Sequence, residues 1–471
     1  MNQNQSLLKS KIPVIAILDI GKTNKKIFLF DEQYKIIYER TKQLPETADE
    51  DGFPCEDILA LKDWVNEEIR LANGLEHLSI KAINVSAYGA SFVHLDSEGK
   101  PIGQLGNYLK PYPEKLLSSF LSTYDRDQTL SLQTASPQLG SLNSGLQLYR
   151  LKQEQPSDFS KIKYSLHLPQ YISFLLSGEV FTELTSIGCH TMLWDFRKNK
   201  YHEWVRQESI DSKFPELVSS SHVTKNNKMM TGVGLHDSSA ALIPYLRAFH
   251  DSFTLISTGT WCISLNPFNQ NPLTRMELEL DCLQYLSFEG KPVKAIRLFA
   301  GHEHELMLKK IALYFNVDQR ALHTLEFDKK IAAALINSKQ GDNTEPNKLG
   351  QQDSGFDNRD LSEFKSFGEA YHQLLIDIVS QQLKSTALVL KNTNVKEIYV
   401  DGGFSTNSVY MNLLAAGFPQ HDVYVASEAQ GSALGAALAI HSAWNRHPTP
   451  KEIIKLRPCK RPDGVKIQPI I

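Results

Sequence analysis

Residues 13–30 read PVIAILDIGKTNKKIFLF. Two apolar runs, PVIAILD and KKIFLF, flank the short polar segment GKTN, and a third run, KIIYER, follows after DEQ. Apolar runs cut by small polar residues read as strands of a meander. Residues 252–267, SFTLISTGTWCISLNP, repeat the shape of strand, small-residue turn and strand. Residues 395–418, VKEIYVDGGFSTNSVYMNLLAAGF, then read as strand, glycine turn and helix. That grammar belongs to α/β folds. Its recurrence predicts two related domains that meet near residues 245–255, an N-terminal one over 1–251 and a C-terminal one over 252–471.

Bulk properties agree with this division. A chain of 471 residues exceeds one ordinary hydrophobic core. A net charge of -3, with no lysine or arginine run, gives no footprint for nucleic acid or an anionic membrane. The five cysteines lack metal-site or redox-motif spacing, so they read as reduced thiols. The apolar stretch Ile12–Leu18 is broken by Asp19, and no cleavage site for an export signal follows. Residues 1–10 are expected to form a loose arm, and the location is expected to be cytoplasmic. A helix pattern covers about 56–72, a second apolar helix should stop at Gly178, and the turn-rich stretch 335–362 reads as a surface insertion.

Three segments carry phosphate-handling chemistry. In DIGKTNKK, Gly21 permits close backbone approach to an anion, Thr23 and Asn24 supply polar groups, and Lys25 supplies charge. Asp19 ends the first strand, where a carboxylate holds magnesium directly or through water. The segment lacks the GxxxxGK[ST] pattern of a P-loop. In STGT, Gly259 and Thr260 present backbone N–H groups and hydroxyls in the equivalent turn of the second domain. In DGGFSTN, Gly402 and Gly403 allow close passage of the chain and Asn407 offers an amide, while Gly431 opens a later small-residue helix. Each segment alone also suits an ordinary turn or helix contact. Two such turns in equivalent places suggest a ligand shared by the domains.

A candidate base lies in GVGLHDSSAAL, residues 232–242. Asp237 stands at a predicted helix start, where an aspartate serves either as an N-cap or as a carboxylate that takes the proton of an attacking hydroxyl. His236 beside it is a candidate substrate ligand.

Together, in this order and separation, DIGKTNKK, GLHDSSAAL, STGTW, DGGFSTN and EAQGSALGAA resemble the FGGY carbohydrate kinases over almost the whole chain. The resemblance implies two actin-like, ribonuclease H-like α/β domains with a ligand cleft between them. It implies ATP and Mg2+ as cofactors, a small carbohydrate as partner, and phosphorylation of a hydroxyl on a ketose or polyol. It assigns Asp237 as general base, Asp19 to the metal, and Thr23 and Thr260 to the transferred phosphate. Gly403 and Asn407 fall in its nucleotide-binding turn, with Gly431 packed nearby. In LWDFRKNKY, Trp194 and Asp195 read as structural residues. Many family members carry an aspartate–arginine pair where this chain reads GNYLKPYPEK, residues 106–115. Tyr88 and Asn107 are candidate replacements for that polar clamp. The general pattern is nearest the kinases of deoxyketoses such as rhamnulose or fuculose. Two other readings share the phosphate turns: a nucleotide-gated sugar-binding regulator and an actin-like ATPase. Homo-oligomerisation is left open.

Overall fold

The computed structural model describes residues 11–226, 229–338, 354–426 and 430–467. The expected N-terminal arm, residues 339–353 of the polar stretch and Glu428 and Ala429 of EAQGSALGAA lie outside the described residues.

The first unit comprises Met1–Leu246, Leu286–Gly290 and Gln430–Ile453. Its sheet begins with the expected meander: β1 (Ile12–Ile20), β2 (Lys25–Asp31) and β3 (Ile36–Lys42), each antiparallel to the next. Alternation fails in β1 because both of its faces are covered, and Val14 to Leu18 are all buried. Helix α1 (Ile58–Asn73) follows, with Asp57 accepting from the N–H groups of Leu59 and Ala60 at its start. β4 (Leu78–Ala87) runs parallel to β1 and sets Ser86 opposite Asp19. α2 (Leu168–Ser177) ends at Gly178, whose φ of +77° makes the left-handed cap that glycine favours. β5 (Val223–Asn226), β6 (Met229–Gly232) and the short β7 (Leu235–His236) complete the sheet, with both β6 and β7 parallel to β4. β7 runs directly into α3 (Asp237–Ala248).

The second unit comprises Arg247–Tyr285, Lys291–Ala429 and Ile454–Ile471. β8 (Phe253–Thr258) and β9 (Cys262–Asn266) form the predicted hairpin. β10 (Cys282–Leu286) and β11 (Pro292–Leu298) extend the sheet beyond β9. β12 (Glu397–Gly402) lies parallel to β8 on the other side, followed by β13 (Asp422–Ala426) and β14 (Leu456–Pro458). Each unit therefore has a hairpin whose first strand also pairs in parallel with a later strand. Helices α4 (Ala300–Phe315), α5 (Phe367–Leu390) and α6 (Ser408–Gly417) cover this second sheet, and the apolar side chains of α5 fill its core. Full burial of each large aliphatic group there contributes about 1.5–3 kcal/mol.

Residues 430–453, which the expected boundary puts in the C-terminal domain, pack within the first unit. Its helix α7 (Gly431–Ala439) is built from small residues and reaches the backbone of α3. A Cβ on Gly435 would stand 1.8 Å from Ala240 O, so only glycine allows this approach. Small residues that suit a nucleotide contact suit tight helix packing equally well, and distant partners decide between them. None of the five cysteines forms a disulfide. No helix among the described residues is long and apolar enough to cross a membrane.

Candidate active site

In the first unit, two carboxylates stand at the ends of parallel neighbours of β4. Asp19 lies near the end of β1, and Asp237 follows β7 at the first position of α3. Asp19 Oδ1 accepts a 3.0 Å hydrogen bond from Ser432 Oγ on α7. Burial pushes the Asp19 pKa up to about 6, opposed by the Ser432 hydrogen bond and reinforced by the charge of Asp237. Burial likewise pushes Asp237 up to about 6, against the hydrogen bonds from Ser238. Those bonds reach Asp237 Oδ1 from Ser238 N at 2.6 Å and Oγ at 3.3 Å. Asp237 keeps 34% of its side-chain surface exposed, so crowding by protein raises its proton affinity without sealing it from solutes.

These residues suit a hard cation. Two neighbouring carboxylates that resist ionisation gain most when a divalent ion offsets their charge, and their donor atoms are all oxygens. Asp19, with Asp237 nearby, would hold Mg2+.

His236 lies beside the base. Its Nε2 is 3.4 Å from Asp237 Oδ1 and 3.1 Å from Cys189 Sγ. Burial lowers its pKa to about 3, so the ring is neutral at physiological pH. Gly89 makes room for that ring, since a Cβ there would lie 2.6 Å from His236 Cδ2. Tyr108 is also coupled to the site: burial, then the charge of Asp237, pushes its pKa to about 12. Sequence reasoning missed Gly89, Cys189 and Tyr108. Tyr108 had a signal, because it lies inside the departing stretch GNYLKPYPEK.

The GKTN turn closes through Gly21 N donating to Asn24 O at 2.9 Å, with Thr23 exposed at its tip. The Asn24 side-chain oxygen accepts from Gln43 Nε2 at 3.1 Å. Lys25 departs from expectation. Its ammonium donates to Gly21 O, Lys22 O and Glu56 Oε1 at 3.1, 3.0 and 2.9 Å. An ammonium has three protons, and all three are committed, two to the turn and one to Glu56. Lys25 shapes the loop from within and offers no donor to a phosphate. Tyr88 and Asn107 are similarly committed. Tyr88 Oη donates to the same Glu56 oxygen at 2.9 Å. Asn107 Nδ2 donates to Pro54 O at 2.7 Å, and its Oδ1 accepts from Leu109 N at 3.0 Å. These partners hold the loop in place.

In the second unit, Gly259 and Thr260 form the exposed tip between β8 and β9. Thr258 beneath them donates from Oγ1 to Asp401 O and accepts from Phe404 N at 3.0 Å. The turn is therefore bound to the DGGF segment. Gly402 has a φ of +77°, and a Cβ there would stand 1.8 Å from Thr258 O. Gly301, missed from sequence, seals the other side, because its Cβ would stand 1.9 Å from Gly259 O. Gly403 is exposed, with open space where a Cβ would stand. Asn407 caps α6 by accepting from Tyr410 N at 2.9 Å, while its Nδ2 donates to Tyr371 Oη at 2.7 Å. Its side-chain oxygen serves as the helix cap of α6. Gly431 begins α7 in the first unit, where a Cβ would make ordinary contact with Ala241 O at 3.6 Å.

Comparisons with known proteins fit this geometry. Residues 14–251 match the model of the FGGY family of carbohydrate kinases, N-terminal domain, and residues 250–343 match the carbohydrate kinase FGGY, C-terminal domain. A rhamnulokinase from Halalkalibacterium halodurans is 28% identical over 186 residues, which cover 38% of this chain and 37% of that protein. One from Yersinia pestis is 22% identical over 281 residues, covering 56% of each. The chain thus spans between about a third and just over half the length of the curated relatives it matches. A carbohydrate kinase from Novosphingobium aromaticivorans superposes with a TM-score of 0.77 at 22% identity, covering 96% of this chain and 95% of that one. Plasmodium falciparum glycerol kinase with ADP gives 0.71 at 16% identity, covering 92% and 90%. At these identities the likeness establishes the fold alone, a two-domain α/β architecture. The N-terminal match alone takes in half of the sequence and contains both Asp19 and Asp237, so the chain belongs to the FGGY family of carbohydrate kinases.

Proposed function

We propose that this chain transfers the terminal phosphoryl group of ATP to a hydroxyl of a small ketose or polyol. The observation that carries the reading is Asp237: a partly exposed carboxylate at a helix start, with its pKa raised to about 6. A base must be ionised near neutral pH yet hold a proton well enough to assist an attacking alcohol, and a pKa near 6 meets both demands. Ser238 occupies Oδ1, which leaves the second oxygen for the acceptor proton.

In this reading the acceptor oxygen forms a bond to the terminal phosphorus, the bond to the departing ADP oxygen breaks, and the acceptor proton passes to Asp237. Bound Mg2+ offsets charge on the phosphate oxygens. Each unit carries one turn suited to phosphate oxygens, GKTN with Thr23 in the first and STGT with Thr260 in the second, through hydroxyl and backbone N–H groups. Neutral His236 orients an acceptor hydroxyl.

The acceptor class is proposed as a deoxyketose. Curated relatives named rhamnulokinase support it. A panel of deoxyketoses, ketopentoses and polyols, assayed for ADP and sugar phosphate together, tests the reading. Equal amounts of both products from a deoxyketose support it. ADP release unaffected by every sugar would point instead to an ATPase.

A further inference from the structure

The loop GCHTM, residues 188–192, touches His236 through Cys189 but has no part in the transfer as described. Cys189, His190 and His236 are all buried, and each offers a ligand atom within 4.8 Å of the other two. All three belong to the first unit.

The surrounding structure holds this cluster firmly. His190 has a φ of +38° and Met192 a φ of +61°, a left-handed backbone that costs a residue with a side chain about 1–3 kcal/mol. Asn143 pins the strained loop by donating from Nδ2 to His190 O at 2.8 Å. His190 Nδ1 stands 3.0 Å from Leu142 O, and a carbonyl partner requires that nitrogen to donate. The Nε2 atom then carries the lone pair, the arrangement that a backbone carbonyl imposes on metal-binding histidines. His236 is fixed through its main chain, which donates to Thr185 Oγ1 at 3.0 Å. Thr185 in turn donates to the buried Glu183 at 2.7 Å.

We propose that Cys189, His190 and His236 form a site for a borderline divalent cation of the Zn2+ class, distinct from the Mg2+ of phosphoryl transfer. One thiolate and two imidazoles suit such an ion and do not suit Mg2+. The cysteine thiol releases its proton to solvent as the sulfur binds. A tetrahedral site with bonds of about 2.3 Å to sulfur and 2.0 Å to nitrogen has an S···N edge of roughly 3.6 Å. Cys189 Sγ and His236 Nε2 stand 3.1 Å apart, so a small side-chain rotation completes the geometry. Asp237 Oδ1, 3.4 Å from His236 Nε2, supplies the fourth donor by exchanging its longer hydrogen bond, the 3.3 Å one from Ser238 Oγ, for the ion. Occupation then engages the base and suppresses transfer, a consequence that rests on the kinase reading, whereas the site itself does not.

Untagged protein stripped by chelator and titrated with Co2+ and Zn2+ tests the site without any turnover. The expected result is one Co2+ per chain, with tetrahedral d–d bands and a thiolate-to-cobalt charge-transfer band in the near ultraviolet. Cys189→Ser should abolish the charge-transfer band and weaken Zn2+ binding by more than about 100-fold, exceeding the roughly 10–100-fold loss typical of an outer-shell partner. His190→Gln should keep the band and weaken binding by more than about tenfold. Thermal melts establish that each variant folds, and His190→Gln decides the matter if Cys189→Ser does not. Binding without a sulfur band, several weak equivalents unchanged in His190→Gln, or no binding at micromolar Zn2+ each overturns the proposal. If the site binds Zn2+ while no sugar is phosphorylated, the kinase reading fails and the site stands.

Discussion

Ser432 Oγ donates to Asp19 Oδ1 at 3.0 Å across 413 residues of chain. The bond joins α7, which returns to the first unit late in the sequence, to the end of β1. It also opposes the rise that burial imposes on Asp19.

Ser432→Ala removes that hydrogen bond and should raise the Asp19 pKa further above about 6. The acid limb of kcat/KM for MgATP is expected to move to higher pH, with activity at pH 6.5 falling several-fold and activity at pH 8.5 nearly retained. A pH–rate profile of the two proteins measures the shift.

Asp19→Asn should stabilise the protein at high pH while disabling it. The pKa of Asp19 is raised to about 6 from an ordinary 3.8, so its ionised form disfavours the fold. The folded state binds the proton more tightly, so the penalty is full above about pH 6 and fades as pH falls toward 4. Melting curves at pH 8 and pH 4 are expected to show a higher Tm for Asp19→Asn at pH 8 and a smaller difference at pH 4.

Lys25→Met should act on stability before it acts on nucleotide affinity. Lys25 and Glu56 are 2% and 6% exposed, and they meet at 2.9 Å. Breaking a buried pair by removing one partner costs about 3–5 kcal/mol. Urea denaturation should show a loss of that order. A second variant, Lys25→Met with Glu56→Gln, is expected to recover part of it. A purely kinetic defect with unchanged stability would return Lys25 to the phosphate.

Gly402→Ala and Gly403→Ala separate two adjacent glycines. At Gly402 the Cβ meets a backbone oxygen and the φ is left-handed, whereas at Gly403 the space is open. Gly402→Ala should destabilise by several kcal/mol, in the range of strained and overpacked substitutions, about 1–3 kcal/mol for each effect. Gly403→Ala should leave the Tm within a degree or two. Thermal melts of both variants check the contrast.

Much of the site was legible because its motifs are local. The strand–turn–strand of PVIAILDIGKTNKKIFLF and the strand–helix junction at His236 and Asp237 are written in consecutive residues. What escaped depends on partners far along the chain. Nothing near Lys25 shows that Glu56, 31 residues away, consumes its charge. Nothing in GSALGAALA tells nucleotide contact from the approach of Gly435 to Ala240. Asn407 had a local signal, since an asparagine just before a helical run is a preferred cap.

The central claim is that Asp237 serves as the base in phosphoryl transfer to a sugar. The most direct measurement is sugar phosphate formed from MgATP and the best acceptor of the panel, by the unchanged protein and by Asp237→Asn, with binding of both ligands measured by calorimetry. The account predicts that Asp237→Asn binds ATP and sugar within a few-fold of the parent and loses at least about 100-fold in kcat, the lower range for a positioned acid–base group. A variant that still forms sugar phosphate at the parent rate would contradict it.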